Sequence, residues 1–501
     1  MLAAELLCAD GTKDFAQIFA HQYVLARGAP PTVAGWAGPE PLEGWALRHC
    51  PRLDCRVIED ARGAPCGWLL GVAVDAAGSV VSKSGLRIGA ACTARGFWPA
   101  VEQAVEPLAG RYIAILFGPG GPRAYFDPVM DMPAVFNPAE GLVASSPLLA
   151  LRRWVEHGTR LHAKTIRNEG GNYGFQLTCD REVTRGLSNH YLALSDFTLH
   201  RHWPRGDECF EGRGLALSET AERLLERLGQ VTGALVAHHR CLLPLTGGND
   251  SRTLAYSARE SLGGLEGAYA HRVNWITQFD CYLGNQLAED LGLEFRILDA
   301  VKAFQQGRFA TKDIRRLKWN FLHATGYIHP PMRSELAAAA LVPQEFPEAE
   351  LVLRGNVMDM TQANQWPRDS LAFELDHAIG KLALGGRTAE ENAAYWRDDY
   401  LAWMRTLPEN ARARTYEMAF TELLLPNTLG AKLQGYGRPH YVNPFNDRGL
   451  IATCMSVAPE LRKKGLLTET LHGMAGAPPL MRTNRLRKAR DRHDEVERLF
   501  A

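Results

Sequence analysis

The chain has 501 residues, 46% of them hydrophobic and 22% charged, and its formal net charge is zero. That length exceeds one ordinary core and predicts two or three domains, at roughly 100–200 residues each. The charge balance excludes a global bias toward nucleic acid or an anionic membrane. No apolar run approaches the ~20 residues that span a bilayer, so no membrane association is expected. The first ten residues, with an early Glu5 and no basic start, make a poor secretory signal. The cysteines are scattered and form no CxxC pair. This predicts reduced thiols in a cytoplasmic protein, with neither a zinc ribbon nor a dithiol site.

Residues up to about 205 read as short strands between turns. The stretch 66–75 is strand-like and stops at Ala76-Ala77-Gly78. Residues 111–117 form a second apolar run, ended by Gly118-Pro119-Gly120-Gly121-Pro122, and 123–127 form the returning strand. Residues 190–194 and 197–200 read as a hairpin around Ser195-Asp196, and a helix is expected near 98–108.

The pattern then changes. Arg205-Gly206-Asp207-Glu208 reads as a linker, and Ser218 as the cap of a helix whose apolar side carries Leu224, Leu225 and Leu228. A short apolar strand, 241–245, runs into a glycine pair and then a helix over 251–262; a helical stretch 280–291 and a strand 294–298 follow. Strand and helix alternating at this spacing predict a parallel α/β sheet. From about Glu390 onward the chain reads as mostly helical.

The segment Leu245-Thr246-Gly247-Gly248-Asn249-Asp250-Ser251-Arg252 carries the chemistry. A strand, two glycines and a helix start present backbone N–H groups and a positive dipole end to an anion. Thr246 and Ser251 add hydroxyl donors. Asp250 would repel phosphate alone and makes sense as a ligand of Mg²⁺ bridging phosphates. A glycine pair by itself is an ordinary turn with a capping Asp; the eight-residue context is what separates the two readings. The segment resembles the pyrophosphate-binding PP-loop of the N-type ATP pyrophosphatases, Ser-Gly-Gly-x-Asp-Ser, with Thr246 for the first Ser.

Within that superfamily the chain resembles asparagine synthetase, the β-lactam synthetases and the lasso-peptide cyclases. The resemblance is carried by Gly110-Arg111-Tyr112 through Asp127-Pro128, by Ala144-Ser145-Ser146, and by Asn443-Pro444-Phe445-Asn446-Asp447, which is similar to Val-Pro-Phe-Leu-Asp. It implies an α/β chain in two domains. Residues 1–205 would be a glutaminase-like, Ntn-type β-rich sandwich. Residues 206–501 would be a parallel-sheet ATP-pyrophosphatase domain with a helical C-terminal part.

The family's second loop, Ser-Gly-Glu-Gly-Ser-Asp-Glu, corresponds to Arg354-Gly355-Asn356-Val357-Met358-Asp359-Met360, in which Gly355 and Asp359 match. The resemblance therefore implies Leu245, Thr246, Gly247, Gly248, Asp250, Ser251, Arg252 and Gly355 at ATP and pyrophosphate, with Asp250 and Asp359 as the Mg²⁺ pair. It further implies Lys464, by its spacing to Leu467, as the cation offsetting charge at the α-phosphate.

Two departures stand beside these matches. The ammonia-producing members need Cys after the initiator Met, and here that residue is Leu2, with Cys8 the nearest thiol. This predicts a first half without glutaminase activity. The position of Glu in asparagine synthetases, or Tyr in β-lactam synthetases, is Asn356, which is no general base at neutral pH. Among other residues, His323 and His329 are candidates for an acceptor pocket, Asn364–Asp369 for its entrance, and the basic run 485–490 for contact with a peptide or carrier-protein partner; each also has an ordinary structural reading.

The expected function is a glutamine-independent, ATP-dependent amide ligase. A small-molecule or peptide carboxylate would be adenylated, pyrophosphate released, and the acyl-adenylate captured by an amine, in biosynthesis of a specialised metabolite or modified peptide. An intramolecular β-lactam or macrolactam cyclase, and a catalytically degenerate binding or regulatory relative, remain as alternatives.

Overall fold

A computed structural model describes residues 1–29, 31–33, 35–157, 173–207, 210, 216–382, 389–477 and 493–500. Alternation in the first half builds a sandwich. Its strands are β1 (Tyr23–Arg27), β2 (Trp45–His49), β3 (Cys55–Glu59), β4 (Pro65–Val74), β5 (Leu86–Arg87), β6 (Ala109–Leu116), β7 (Arg123–Phe126), β8 (Val135–Asn137), β9 (Leu142–Ala144), β10 (Thr184–Arg185), β11 (His190–Ala193) and β12 (Thr198–Arg201). They form two mainly antiparallel sheets, in the orders β10-β8-β9-β1-β2 and β12-β11-β7-β6-β4-β3-β5. Tyr23 and Leu25, Trp45 and Leu47, Trp68 and Leu70, and Ile113 and Ile115 share one core. The alternate residues Val24 and Ala26 pack instead with α1 (Ala3–Cys8), and Leu69, Ala114 and Leu116 with α2 (Phe97–Val105). The Gly-rich turn joins β6 to β7, where Gly120 and Gly121 take φ of 84° and 109°.

The second half centres on five parallel strands, β13 (Cys241–Pro244), β14 (Gly267–Arg272), β15 (Phe295–Asp299), β16 (Leu351–Leu353) and β17 (His440–Val442), ordered β15-β14-β13-β16-β17. Around them lie α3 (Leu217–His238), α4 (Asn249–Ser257), α5 (Thr277–Leu291), α6 (Thr311–Thr325), α7 (Arg333–Glu345), α8 (Ala431–Gln434) and α9 (Arg448–Ser456), with further helices over 375–430. One apolar cluster runs from Val72, Val74 and Ala109 across Leu224, Leu228 and Leu235 of α3 into Leu242, Leu243 and Val352 of the parallel sheet. Each half therefore completes the burial of the other. The protein is mixed α/β, with two antiparallel sheets, a parallel sheet and helices. Among the described residues no helix is long and apolar enough to cross a membrane.

Two local expectations are corrected. Ser218 lies inside the first turn of α3; Ala216 is the N-cap and supplies no capping side chain. The helix expected over 251–262 starts at Asn249, ends at Ser257 and continues as a tighter 3₁₀ stretch, Arg259–Gly264. There Gly264 sits where an added Cβ would meet Val236 Cγ1 at 2.8 Å, so close packing on α3 sets the path. The region from about Glu390, read as mostly helical, is so among the described residues and also holds β17, whose three residues are too few to show a period and follow the helix-breaking Pro439. The basic run 485–490 lies outside the described residues.

Candidate functional site

The chain leaves β13, builds β14 and β15 on one side, and then returns to build β16 and β17 on the other. The carboxyl ends of β13 and β16 thus form the switch point at which open α/β sheets bind ligands. Both loops singled out in the sequence emerge there. They border a cleft of about 490 Å³ lined by Thr246, Gly248, Asp250, Ser251, His271, Thr277, Asp280, Glu335, Arg354, Gly355, Asn356, Lys432, Tyr436 and Tyr441, among others. This volume is within the ordinary range for small-ligand sites.

The glycine turn is held from below. A Cβ on Gly247 would lie 2.5 Å from Leu283 Cδ1, and one on Gly284 would lie 2.4 Å from the Leu245 carbonyl oxygen. The glycines here serve close packing against α5, not an unusual φ. Gly247 N–H donates to Asp280 Oδ1 at 3.1 Å, and Gly248 N–H to Thr246 Oγ1 at 3.2 Å. The Thr246 and Ser251 hydroxyls lie 3.0 Å apart, and Thr246 N–H donates to Ser251 Oγ at 3.2 Å. The turn is therefore shaped before any ligand arrives. Gly248 is the N-cap of α4, whose first-turn amides have no intrahelical acceptor.

The second loop closes directly on this helix start. Gly355 allows it: a Cβ there would meet Asp250 Cβ at 2.9 Å and the Asp250 carbonyl carbon at 3.1 Å. Gln362 bridges the two loops, accepting from Asn249 Nδ2 at 3.1 Å and donating from Nε2 to Asp250 Oδ1 at 3.4 Å. Buried Arg462 supports the loop from behind, donating to the Met360 carbonyl at 2.8 Å and pairing with buried Glu417. Asn443 reaches in from after β17: its Oδ1 accepts from Asn356 N–H at 3.3 Å, and its Nδ2 donates to Asp131 of the first half at 2.7 Å. Asn446, in the same segment, donates to Asp127 Oδ1 at 2.7 Å and to the Gly110 carbonyl at 2.6 Å. The Asn443–Asp447 segment thus bolts the first half to the second loop.

Burial pushes the Asp250 carboxyl up to about 7, and the nearby Asp359 adds to the effect, while Arg252 and Arg354 oppose it. Asp359 is also raised by burial, against a hydrogen bond from Asn364 Nδ2 at 3.1 Å. An unfolded chain ionises such a carboxyl near 3.8. Between that value and 7 the folded state keeps a proton the unfolded chain has lost, so stability falls as pH rises through this window. Asp250→Asn should therefore raise the melting temperature of the ligand-free protein at about pH 8 and leave it unchanged near pH 3. A variant less stable than the wild type at the higher pH would contradict this.

The structure brings Thr246, Gly248, Asp250, Ser251 and Gly355 to one cleft. Leu245 and Gly247 lie beneath it: Leu245 is fully buried, with its N–H on the Tyr269 carbonyl at 2.8 Å. Asp359 is not among the lining residues of the cleft and acts on Asp250 through its charge. Two assigned residues, Arg252 and Lys464, are not among those that line the cleft. Arg252 is 2% exposed, and its guanidinium folds back onto its own helix, donating to the Gly248 carbonyl at 3.2 Å and to Asn249. Lys464 is exposed at the end of the helix Pro459–Lys463, outside the cleft lining. Spacing to a leucine fixed its place in the chain but not the direction it faces. His323 is buried beside a separate cavity of about 760 Å³ lined also by Lys13, Arg315 and Trp319, and His329 is exposed.

Sequence reading missed Asp280, Glu335, His271 and Lys432 as cleft residues. Each comes from a different element, and none sits in a motif. Asn356 lines the cleft as expected, but its Oδ1 already accepts from Arg354 Nε at 3.1 Å. At the other end of the chain, Leu2 is fully buried beneath the first half, and burial pushes the Cys8 thiol up to about 11. Neither a scan against protein-family models nor a search of curated proteins finds a match to this chain.

Proposed function

We propose that this chain is an ATP-dependent, AMP-forming ligase of the asparagine synthetase type, with a first half that is an Ntn-like sandwich serving as scaffold. The observation that carries this reading is the cleft at the switch point. It joins a helix N-terminus, two flanking hydroxyls and a desolvated carboxylate, across a glycine-sized gap from a second loop bearing another carboxylate. The residues suit a nucleotide triphosphate. Gly248, Ser251 and the first amides of α4 would hold pyrophosphate. Among the described residues no three His, Cys, Asp or Glu side chains converge as a metal set. Asp250, which lines the cleft, would be one of the one or two carboxylates that Mg²⁺ takes before phosphate oxygens and water complete its shell, whereas Asp359 lies outside the lining and acts on Asp250 through its charge. When bound, that ion would offset negative charge on the phosphates.

The substrate carboxylate would attack the α-phosphate and form an acyl-adenylate, and an amine would then displace AMP. Thr246 and Ser251 orient the polyphosphate, and Gln362 keeps the two loops in register. Burial, which pushes the Cys8 thiol up to about 11, argues against Cys8 as a glutaminase nucleophile and supports a glutamine-independent reaction. The amine would come from a second substrate or from within the same molecule, as in a cyclase.

Exchange of radiolabelled pyrophosphate into ATP, across a panel of carboxylates including peptides, tests the reading. Carboxylate-dependent exchange is expected. ATP binding without exchange would favour a non-catalytic relative, for which the capture of Asn356 by Arg354 is the supporting feature. Absence of ATP binding would overturn the reading.

A further inference from the structure

Away from the nucleotide cleft, the two halves meet over a second cavity, of about 760 Å³. One bank is the N-terminal segment around Lys13, and the other is a face of α6. Lys312, Arg315, Arg316, Trp319 and His323 of α6 line it, spaced by three and four residues. That spacing is one stripe of a helix, and the stripe a helix turns inward is ordinarily apolar. Here it is cationic, and its charge works against folding. Lys312, Arg315 and Arg316 fall within two turns of the helix start, toward the positive end of its dipole. Lys312 stands at i,i+3 and i,i+4 to the two arginines, spacings at which like charges destabilise a helix.

Little nearby offsets these charges. α6 holds a single acid, Asp313, whose carboxylate accepts from Ala310 N–H at 3.0 Å and lies 3.5 Å from the Arg316 guanidinium. The one acid in the lining, Asp14, caps the helix Phe15–Ile18, accepting from Gln17 N–H at 3.2 Å. Among the described residues Lys13, Lys312 and Arg315 form no ion pair. The same lining carries aromatic surface and an unmet polar atom. Trp319 stacks on His323, with ring centroids 5.5 Å apart and planes at 26°. His323 is 4% exposed, yet its Nδ1 has no hydrogen-bond partner among the described residues. Burial lowers its pKa to about 4, and the charge of Lys13 adds to the effect, so the ring is neutral. A buried polar atom without a partner costs free energy, and this residue borders a cavity that can admit one.

We propose that this cavity between the halves is a second ligand site, for a small, multiply charged organic anion built on a planar ring, its charge carried by phosphate or carboxylate groups. Lys13 would meet the charge from one bank and Lys312 and Arg315 from the other, and the Trp319–His323 stack would meet the ring. The volume is within the ordinary range for small ligands. α6 separates this site from the nucleotide cleft: its Phe321 packs against Tyr436, a cleft residue, with ring centroids 5.7 Å apart. The proposal does not depend on what the cleft binds.

Calorimetric titration of the full chain at constant ionic strength tests this, with phenyl phosphate, trimesate and inorganic phosphate as probes. At least one ring-bearing probe should bind about 10-fold tighter than inorganic phosphate, the size of one aromatic contact, and the one that does identifies the charged group. Arg315→Glu and Lys13→Glu should each weaken that binding about 10-fold or more, as losing a hydrogen bond to a charged group does. Lys302→Glu makes the same charge change at an exposed position outside the cavity and should bind as wild type. Arg315→Glu should also raise the melting temperature of the ligand-free protein, because it replaces repulsion by attraction near the helix start; the same variant gains stability and loses the ligand. No binding, equal binding of inorganic phosphate, binding that survives Arg315→Glu, or an equal loss in Lys302→Glu would overturn the proposal. Loss in Gly355→Val alone would put the probe in the nucleotide cleft and overturn it too. An Arg315→Glu variant no more stable than the wild type would remove the charge argument on which the site rests.

Discussion

Gly355→Val should weaken ATP binding by about 10- to 100-fold while leaving a cooperatively folded protein. The cause is space, since Gly355 has an ordinary φ of −98° that any residue could adopt. A Cβ would sit 2.9 Å from Asp250 Cβ and 3.1 Å from both the carbonyl carbon and the carbonyl oxygen of Asp250. Valine adds two further carbons at a junction of two backbones that cannot swing aside as a long side chain would. Overpacking of this kind costs about 1–3 kcal/mol, and the least costly relief is to part the two loops. Parting them breaks the Gln362 bridge and moves Asp250 away from Asp359, which are the relations a nucleotide would read. Calorimetric titration with ATP and Mg²⁺, beside a thermal melt, checks this. Wild-type affinity in Gly355→Val would mean that the two loops do not share a ligand.

A stability loss of about 3–5 kcal/mol should come from Glu422→Ala, because it strips one side of a buried ion pair. Glu422 Oε1 accepts from Arg201 at 2.6 Å and from Asn189 Nδ2 at 3.2 Å, and Oε2 accepts from Arg201 at 2.8 Å and from Trp403 Nε1 at 2.8 Å. Its side chain is fully buried and that of Arg201 is 10% exposed. Alanine leaves an amide and an indole N–H without that acceptor, each with a desolvation cost, and leaves the Arg201 guanidinium without its countercharge, holding only Thr406 and the Trp203 carbonyl. Arg201 ends β12, and Glu422 sits in the first π-helical turn of the helix leading to α8. The pair therefore ties the sandwich to the helices that carry Lys432. Glu422→Gln, which retains one acceptor oxygen, should lose less than the alanine variant. Chemical denaturation measures both. A loss under about 1 kcal/mol for alanine, the level of a surface pair, would contradict the account.

Much of the local architecture was legible because short-range physics specifies it. Apolar runs ended by turn residues marked β4 and β6, the Gly118–Pro122 run marked the turn to β7, and the strand–glycine–helix passage at 241–257 follows from apolar run, small residues and helix start. Gly355 and Asp359 were found by pattern, although the reason for Gly355 is a contact with Asp250 that pattern alone does not contain.

The rest of the cleft was not legible because it is assembled from afar. Asp280 reaches the turn from α5, Glu335 from α7 and Lys432 from α8, each more than 30 residues from Gly247. Lys432 was further hidden by the π-helical turns before it, which break the 3.6-residue period that predicts which side chains share a face. Arg252 shows the opposite case: its position in the motif suggested a ligand contact, whereas its buried guanidinium donates to the Gly248 carbonyl and to Asn249 in its own turn. Asn443 and Asn446 show the same limit, since segment resemblance did not predict that their amides would bond to Asp131 and Asp127, more than 300 residues earlier.

Hydrogen–deuterium exchange of the full chain, with and without ATP and Mg²⁺, tests the central claim most directly. The account predicts protection centred on two segments far apart in sequence, the turn and start of α4 over 245–257 and the second loop over 354–362. Gly355→Val should abolish it in both together. Protection confined to one segment, located elsewhere, or absent at saturating nucleotide would contradict a shared nucleotide site at the ends of β13 and β16.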